Sequence, residues 1–364
     1  MNNLQEKHYF AGGNSSEGFF SLYSHILSQE NANRIFCLKG GPGTGKSSLM
    51  KKIANTYILK GYSVELFHCS SDNNSLDGLV IKDLNIAIID GTAPHIVDPI
   101  TPGAVDEIIN LGEAFNVDLI SKHKSKILNI NANIKKRYNR AYNYLNAAKS
   151  ILKDWSGLNS ENLDDNKLSI LVETLKSYLF MNDQTGFGEA RHLFSTAITP
   201  DGIINFIETL TSNYKDMYIL DGGPGLGRSE ILRTLGLCAQ KKGFKVEYLH
   251  NPLVPDELEH ILIPELSKCI VSNNELSNNN IKGISFDLNQ YVTKNGNTTN
   301  TNEIDYNNRL FDELIDKAVS LIAESHVLHD ELETFYIAAM DFTVVDDICD
   351  NLMNKISLYE IKSQ

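Results

Sequence analysis

The residues best suited to chemistry lie at positions 40 to 48, Gly-Gly-Pro-Gly-Thr-Gly-Lys-Ser-Ser. Gly40 to Ser47 fits G-x-x-x-x-G-K-[ST], the Walker A pattern. Glycines at 40, 41, 43 and 45 let successive backbone N–H groups turn inward on a phosphate, and Pro42, Thr44 and Ser48 complete the cradle. Lys46 is the group that would reach the β- and γ-phosphates of a nucleotide, and the Ser47 hydroxyl is placed to ligate Mg²⁺. The pattern therefore predicts binding of ATP or GTP with Mg²⁺. The chain has no N-K-x-D motif of the kind that reads guanine, so ATP is favoured.

Such a loop needs elements to hold it. Ile35 to Leu38 is a short apolar run that suits a buried strand, and Leu49, Met50 and Ile53 recur at helical spacing after Ser47. The helix aims its N-terminal dipole at the same anion. Leu84 to Asp90, Leu-Asn-Ile-Ala-Ile-Ile-Asp, reads as a buried parallel strand ending in a carboxylate, the form expected of Walker B. Asp90 is thus the second Mg²⁺ ligand, unless it merely caps the loop that Gly91 and Pro94 begin. Asp72 follows a further strand at Val64 to Phe67. It would either polarise an attacking water or close an Asx turn in a polar loop. The catalytic candidates are Lys46, Asp72 and Asp90; His68 and His95 are read as structural or as backing the site without touching the ligand.

The whole unit occurs twice. At a shift of 182 positions, Gly40, Gly41, Pro42, Gly43, Gly45 and Ser47 meet Gly222, Gly223, Pro224, Gly225, Gly227 and Ser229. Lys60, Gly61, Val64, Glu65 and His68 meet Lys242, Gly243, Val246, Glu247 and His250. The second copy has lost its chemistry: Lys46 becomes Arg228, Asp72 becomes Val254 and Asp90 becomes Ser272. Its loop either still holds a phosphate on Arg228 or survives as a structural remnant.

A long helical stretch follows each copy. In the first, Ile134, Tyr138, Ala141, Leu145, Ala148, Leu152 and Trp155 alternate spacings of four and three, and a second segment carries Leu168, Leu171, Leu175 and Leu179. With the polar stretch 156–166 between them, these predict an antiparallel hairpin. In the second, Phe311 to Ala339 keeps the same alternation, a seam that wants a partner helix. From Lys122 to Lys153 there are nine Lys/Arg and no acid; from Glu303 to Glu333 there are nine Asp/Glu against two Lys/Arg. The arms are therefore expected to face each other, within one chain, across a homodimer or against a protein partner, with charge setting the pairing. Arg137, Arg140 and Arg191 are candidates for an arginine finger. Residues 273–302, rich in Asn, Ser and Thr, read as a loop.

The expected fold class is α/β, with two tandem P-loop NTPase (RecA-like) domains built on parallel sheets, each followed by a helical arm. The boundaries are 1–115 for the active copy, 116–185 for the hairpin arm, 186–302 for the degenerate copy and 303–364 for the C-terminal arm. The net charge of −13 argues against nucleic acid as a partner. No two of the five cysteines sit at C-x-x-C spacing, which speaks against a zinc site or a disulfide framework. Met1 to Phe10 lacks the apolar core of a signal peptide, and no apolar run is long enough for a bilayer, so a cytoplasmic location is expected.

On these motifs the chain resembles a family of uncharacterised tandem P-loop ATPases of Gram-positive bacteria. The matching stretches are His8 to Asn14, Cys37 to Lys46, His68 to Gly78, Asp90-Gly91-Thr92-Ala93-Pro94-His95 and Arg191 to Phe194. They cover both halves, the first more closely, and Arg228 departs from the Walker A pattern. The resemblance implies ATP binding and a duplicated NTPase fold and supplies no substrate or pathway. Three functions compete: an ATPase that drives a conformational change, a small-molecule or nucleotide kinase, and an ATP sensor without turnover.

Overall fold

The computed structural model describes residues 6–92, 97–161, 163–180, 184–277, 279–293 and 298–360. Pro94 and His95, named above, lie outside them. The first unit runs β1 (Glu6–Phe10), the hairpin β2 (Gly12–Ser15) and β3 (Gly18–Ser21), β4 (Arg34–Lys39), α1 (Lys46–Leu59), β5 (Val64–His68), β6 (Leu76–Ile81), β7 (Ile86–Asp90) and β8 (Asp106–Asn110). Next come α2 (Val117–Ser121), α3 (Lys124–Ser160) and α4 (Asp165–Leu179). The second unit repeats this with β9 (Ala190–Leu193), the hairpin β10 (Thr196–Thr199) and β11 (Gly202–Asn205), α5 (Ile207–Thr211), β12 (Asp216–Asp221), α6 (Arg228–Lys241), β13 (Val246–His250), β14 (Leu258–Ile263), β15 (Lys268–Ser272) and β16 (Ile284–Asp287). It ends in α7 (Thr298–Ile337) and α8 (Phe342–Glu360).

The two main sheets have the same order, strand for strand: β1-β5-β6-β7-β4-β8 and β9-β13-β14-β15-β12-β16. They are mixed, which corrects the expectation of parallel sheets. β6 runs antiparallel to β5 and β7, and β14 does so to β13 and β15. Short returns dictate this, because a crossover between parallel strands needs a dozen or more residues and only seven separate β5 from β6. The stretch read as a loop also holds β16, which pairs with β12 as β8 pairs with β4.

Strand alternation explains the layering. In β4, Phe36 and Leu38 face α1 and α8, while Ile35 and Cys37 face the second unit. There they share a core with Leu193, Leu249, Leu262 and Val271, so the two sheets pack face to face. Outer helices complete a four-layer α/β/β/α arrangement. Being buried on both faces is why β4 and β7 read as near-continuous apolar runs. α1 buries Leu49, Met50, Ile53, Ala54 and Tyr57 and stops at Gly61, whose φ of 91° suits the left-handed position that ends a helix.

The arms do not fold back on themselves. α3 and α7 pair antiparallel within the chain: Ile127 and Ile130 meet Leu332, and Ala141 to Trp155 meet Phe311 to Ile322. The expected hairpin of α3 with α4 is replaced by an exchange. α4 puts Leu171, Leu175 and Leu179 into the core around α6 of the second unit. Reciprocally, α8 puts Val345, Cys349, Leu352 and Ile356 into the core around α1 of the first. The described residues contain no helix long and apolar enough to cross a membrane.

Candidate functional site

The loop from Gly40 to Ser47 leaves β4 at its C-terminal end and enters α1 at Lys46. Gly43 and Gly45 hold φ of 65° and 87°, left-handed conformations that an L side chain adopts only at a cost. The Thr44 hydroxyl donates to the Gly41 carbonyl at 2.9 Å, tightening the turn. Pro42 lies in the turn, and Ser48 is exposed on the first turn of α1.

Lys46 curls back over its own loop. Its Nζ donates to the carbonyls of Gly40 (3.0 Å) and Gly41 (2.7 Å) and lies 3.6 Å from Asp90 Oδ2. Both side chains are nearly buried, at 10% and 13% exposure. In such a setting the pair interacts more strongly than on a surface, and a departing partner leaves an uncompensated charge. Asp90 stands at the end of β7, which lies parallel to β4 with Asp90 opposite Leu38. Its Oδ1 accepts the Thr92 N–H at 2.8 Å, and the Thr92 hydroxyl donates to the Gly40 carbonyl at 2.8 Å. The acidic strand end and the glycine loop are thus laced together, and the Asp90–Thr92 bond is the loop cap that the sequence offered as the alternative role for Asp90.

The Ser47 hydroxyl accepts the Leu76 N–H at 3.0 Å, tying α1 to β6. Ser229 and Leu258 repeat this bond in the second unit at 2.9 Å. Asp72 closes a turn: Oδ1 accepts the Asn74 N–H (3.2 Å) and Oδ2 accepts the Ser75 hydroxyl (2.5 Å). The described residues contain no cluster of three or more His, Cys, Asp or Glu disposed to hold a metal. Ser47 and Asp90 supply one hydroxyl and one carboxylate, a hard oxygen set of the kind Mg²⁺ takes alongside substrate phosphates and water. The loop also accepts an anion: the Gly43 N–H donates to the Glu333 carboxylate on α7 at 3.1 Å. No spacing rule pointed to Glu333, which lies 290 positions away.

The second loop is closed differently. Gly225 and Gly227 keep the same left-handed conformations, φ 82° and 84°. Arg228, in place of lysine, donates from Nη1 to the Gly222 carbonyl (2.7 Å) and the Asn273 carbonyl, and from Nη2 to both oxygens of Glu275 (2.7 and 2.9 Å). Ser272, in place of Asp90, spends its hydroxyl on the Glu259 carbonyl oxygen at 2.7 Å. Glu275 sits in the stretch read as a loop, where composition hid its partner.

None of the three arginines considered as fingers contacts the first loop. Arg191 lies between the units with its side chain 12% exposed, bound to Glu65 (2.7 Å) and Glu247 (3.3 Å) and to the carbonyls of His25 and Ile26. Burial opposes the Glu65 charge, but Arg191 and then Lys82 outweigh it and hold that carboxyl below the usual range. Arg137 pairs with Glu324 of α7 at 3.0 Å, and Arg140 is exposed on α3. The histidines form matched pairs, His8 Nδ1 to His68 Nε2 and His192 Nδ1 to His250 Nε2, each at 2.8 Å. Burial pushes His68 and His192 down to about 4, so both are neutral at physiological pH. This agrees with a structural role for His68.

Compared with models of known protein families, with curated proteins and with solved structures, the chain matches none.

Proposed function

We propose that the chain is a Mg²⁺-dependent ATP-binding protein that hydrolyses ATP at the first glycine loop and uses the cycle to move its helical arms. The observation that carries this reading is the Lys46–Asp90 pair at 3.6 Å across a left-handed glycine loop. In this reading Lys46 would leave the loop carbonyls for a phosphate, and Ser47 and Asp90 would hold the cation. Bound there, Mg²⁺ would neutralise charge on the phosphates. The second loop, whose arginine is already paired, serves as a scaffold in this reading. Phosphate release by the purified protein with Mg·ATP tests it: turnover that disappears in Lys46→Ala supports hydrolysis at this site, and turnover equal in the two proteins refutes it.

One observation favours a second reading, ATP binding without turnover. Both oxygens of Asp72, the carboxylate considered for activating water, are taken by their own turn. Tight Mg·ATP binding with no phosphate release over hours would select this sensor role.

A further inference from the structure

The ends of the two arms lie across the two loops in matched fashion. Over the first loop, a Cβ on Gly41 would come within 2.7 Å of the Tyr336 ring, and one on Gly43 within 2.8 Å of Ile337 Cγ1 and 3.3 Å of the Glu333 carbonyl oxygen. Over the second, a Cβ on Gly223 would meet Asn159 Nδ2 at 2.8 Å, and one on Gly225 would meet the Ser156 carbonyl oxygen at 2.2 Å. Asn159 also donates to the Pro224 carbonyl at 2.8 Å. By position, Tyr336 corresponds to Asn159 and Glu333 to Ser156. Of these arm residues, Glu333, over the loop that keeps Lys46 and Asp90, offers a carboxylate to a loop amide, whereas those over the second loop, Ser156 and Asn159, are neutral.

That carboxylate takes a backbone donor of the cradle. Main-chain amides of such a loop bind anions because several N–H dipoles converge, and a carboxylate is the side-chain anion that best imitates a phosphate oxygen. Two anions cannot share the Gly43 N–H within hydrogen-bonding distance without strong repulsion in a part-buried site. The contact is also coupled mechanically. Six and eight residues after Glu333 the chain is pinned to the first unit by the Asn116 N–H to the Ala339 carbonyl (2.7 Å) and the Asp341 N–H to the Ala114 carbonyl (2.9 Å). α8 then packs along α1.

We propose that Glu333 is a built-in competitor for the nucleotide phosphate: it occupies the Gly43 amide in the free protein and yields it when a nucleoside triphosphate enters. Nucleotide occupancy is thereby read out as release of the α7 end from the loop. The inference rests on the nucleotide-binding reading and assigns that site its regulation.

The test is calorimetric titration of Mg²⁺ with a non-hydrolysable ATP analogue into the full chain, the Glu333→Gln and Glu333→Ala variants, and a Glu331→Ala control. Glu331 is exposed two positions away and removes the same charge without touching the loop. Loss of one charged hydrogen bond from the free state should tighten binding about three- to tenfold in both Glu333 variants. Glu331→Ala should change it less than about twofold. In the parent protein, the analogue should also raise hydrogen exchange at residues 328–337, and Glu333→Ala should show that exchange without nucleotide. Parent and Glu333 variants binding equally, the variants binding more weakly, or Glu331→Ala tightening as much would each overturn the competitor while leaving nucleotide binding intact. No binding by any of the folded proteins would overturn both.

Discussion

Arg228 and Glu275 form a two-pronged ion pair at the mouth of the second glycine loop, Nη2 lying 2.7 and 2.9 Å from the two carboxylate oxygens. The side chains are only 12% and 10% exposed, so each charge depends on the other. The guanidinium that stands where the first loop has Lys46 is thus tied to Glu275 and to the Gly222 carbonyl of its own loop.

This predicts an effect on stability rather than on chemistry. Glu275→Ala strands the Arg228 charge and should lower the unfolding free energy by about 2–4 kcal/mol in urea titrations. The double variant Arg228→Met/Glu275→Ala should recover part of that loss, because neither charge is then left unpaired. ATP turnover per folded molecule should be close to the parent's in both. A large loss of turnover with unchanged stability would reveal a working second site.

The arm pairing should depend on its apolar seam more than on its charge. Leu145 is fully buried between α3 and α7, and Leu145→Ala should cost about 2–5 kcal/mol. Lys135 and Lys136 are exposed, and Arg137 has one half-exposed pair with Glu324. Reversing the charge of all three should cost only about 1 kcal/mol. Urea midpoints decide it, and a larger loss from the charge reversal would restore electrostatics as the pairing force.

Acid should destabilise the protein through its histidine pairs. His68 is held near 4, below its ordinary value of 6.5, because burial disfavours the imidazolium. The unfolded chain then binds more protons than the folded one between those two values, so stability is full above about pH 6.5 and falls as pH drops toward 4. His68 alone should cost about 2 kcal/mol at pH 5 relative to pH 8. His192, also near 4, adds in the same direction. Unfolding curves measured at several pH values check this, and His68→Gln should show a shallower slope. A stability independent of pH between 5 and 8 would contradict the neutral-pair account.

Much of the first loop was legible because its signals are local. The glycines, Lys46 and Ser47 lie in one continuous stretch, and Asp90 ends an apolar run whose burial on both faces explains its composition. The duplication was legible for the same reason, since aligned loops carry aligned strands. What escaped was set by distant partners. β6 antiparallel to its neighbours follows from return length, and Leu76–Ile81 is apolar whichever way it runs. β16 is four residues long and largely exposed, so its pairing with β12 leaves almost no hydrophobic signature. The leucines of α4 record an apolar face without recording that the face belongs to α6 rather than to α3. Glu275 and Glu333 look like ordinary surface acids until the chain brings each to its loop.

The most direct test of the central claim is calorimetric titration of Mg·ATP into the full chain beside Lys46→Ala and Arg228→Ala. A single binding site per chain is predicted, lost or weakened at least about a hundredfold in Lys46→Ala and nearly unchanged in Arg228→Ala. Absence of any heat with folded parent protein, or equal losses in the two variants, would contradict it.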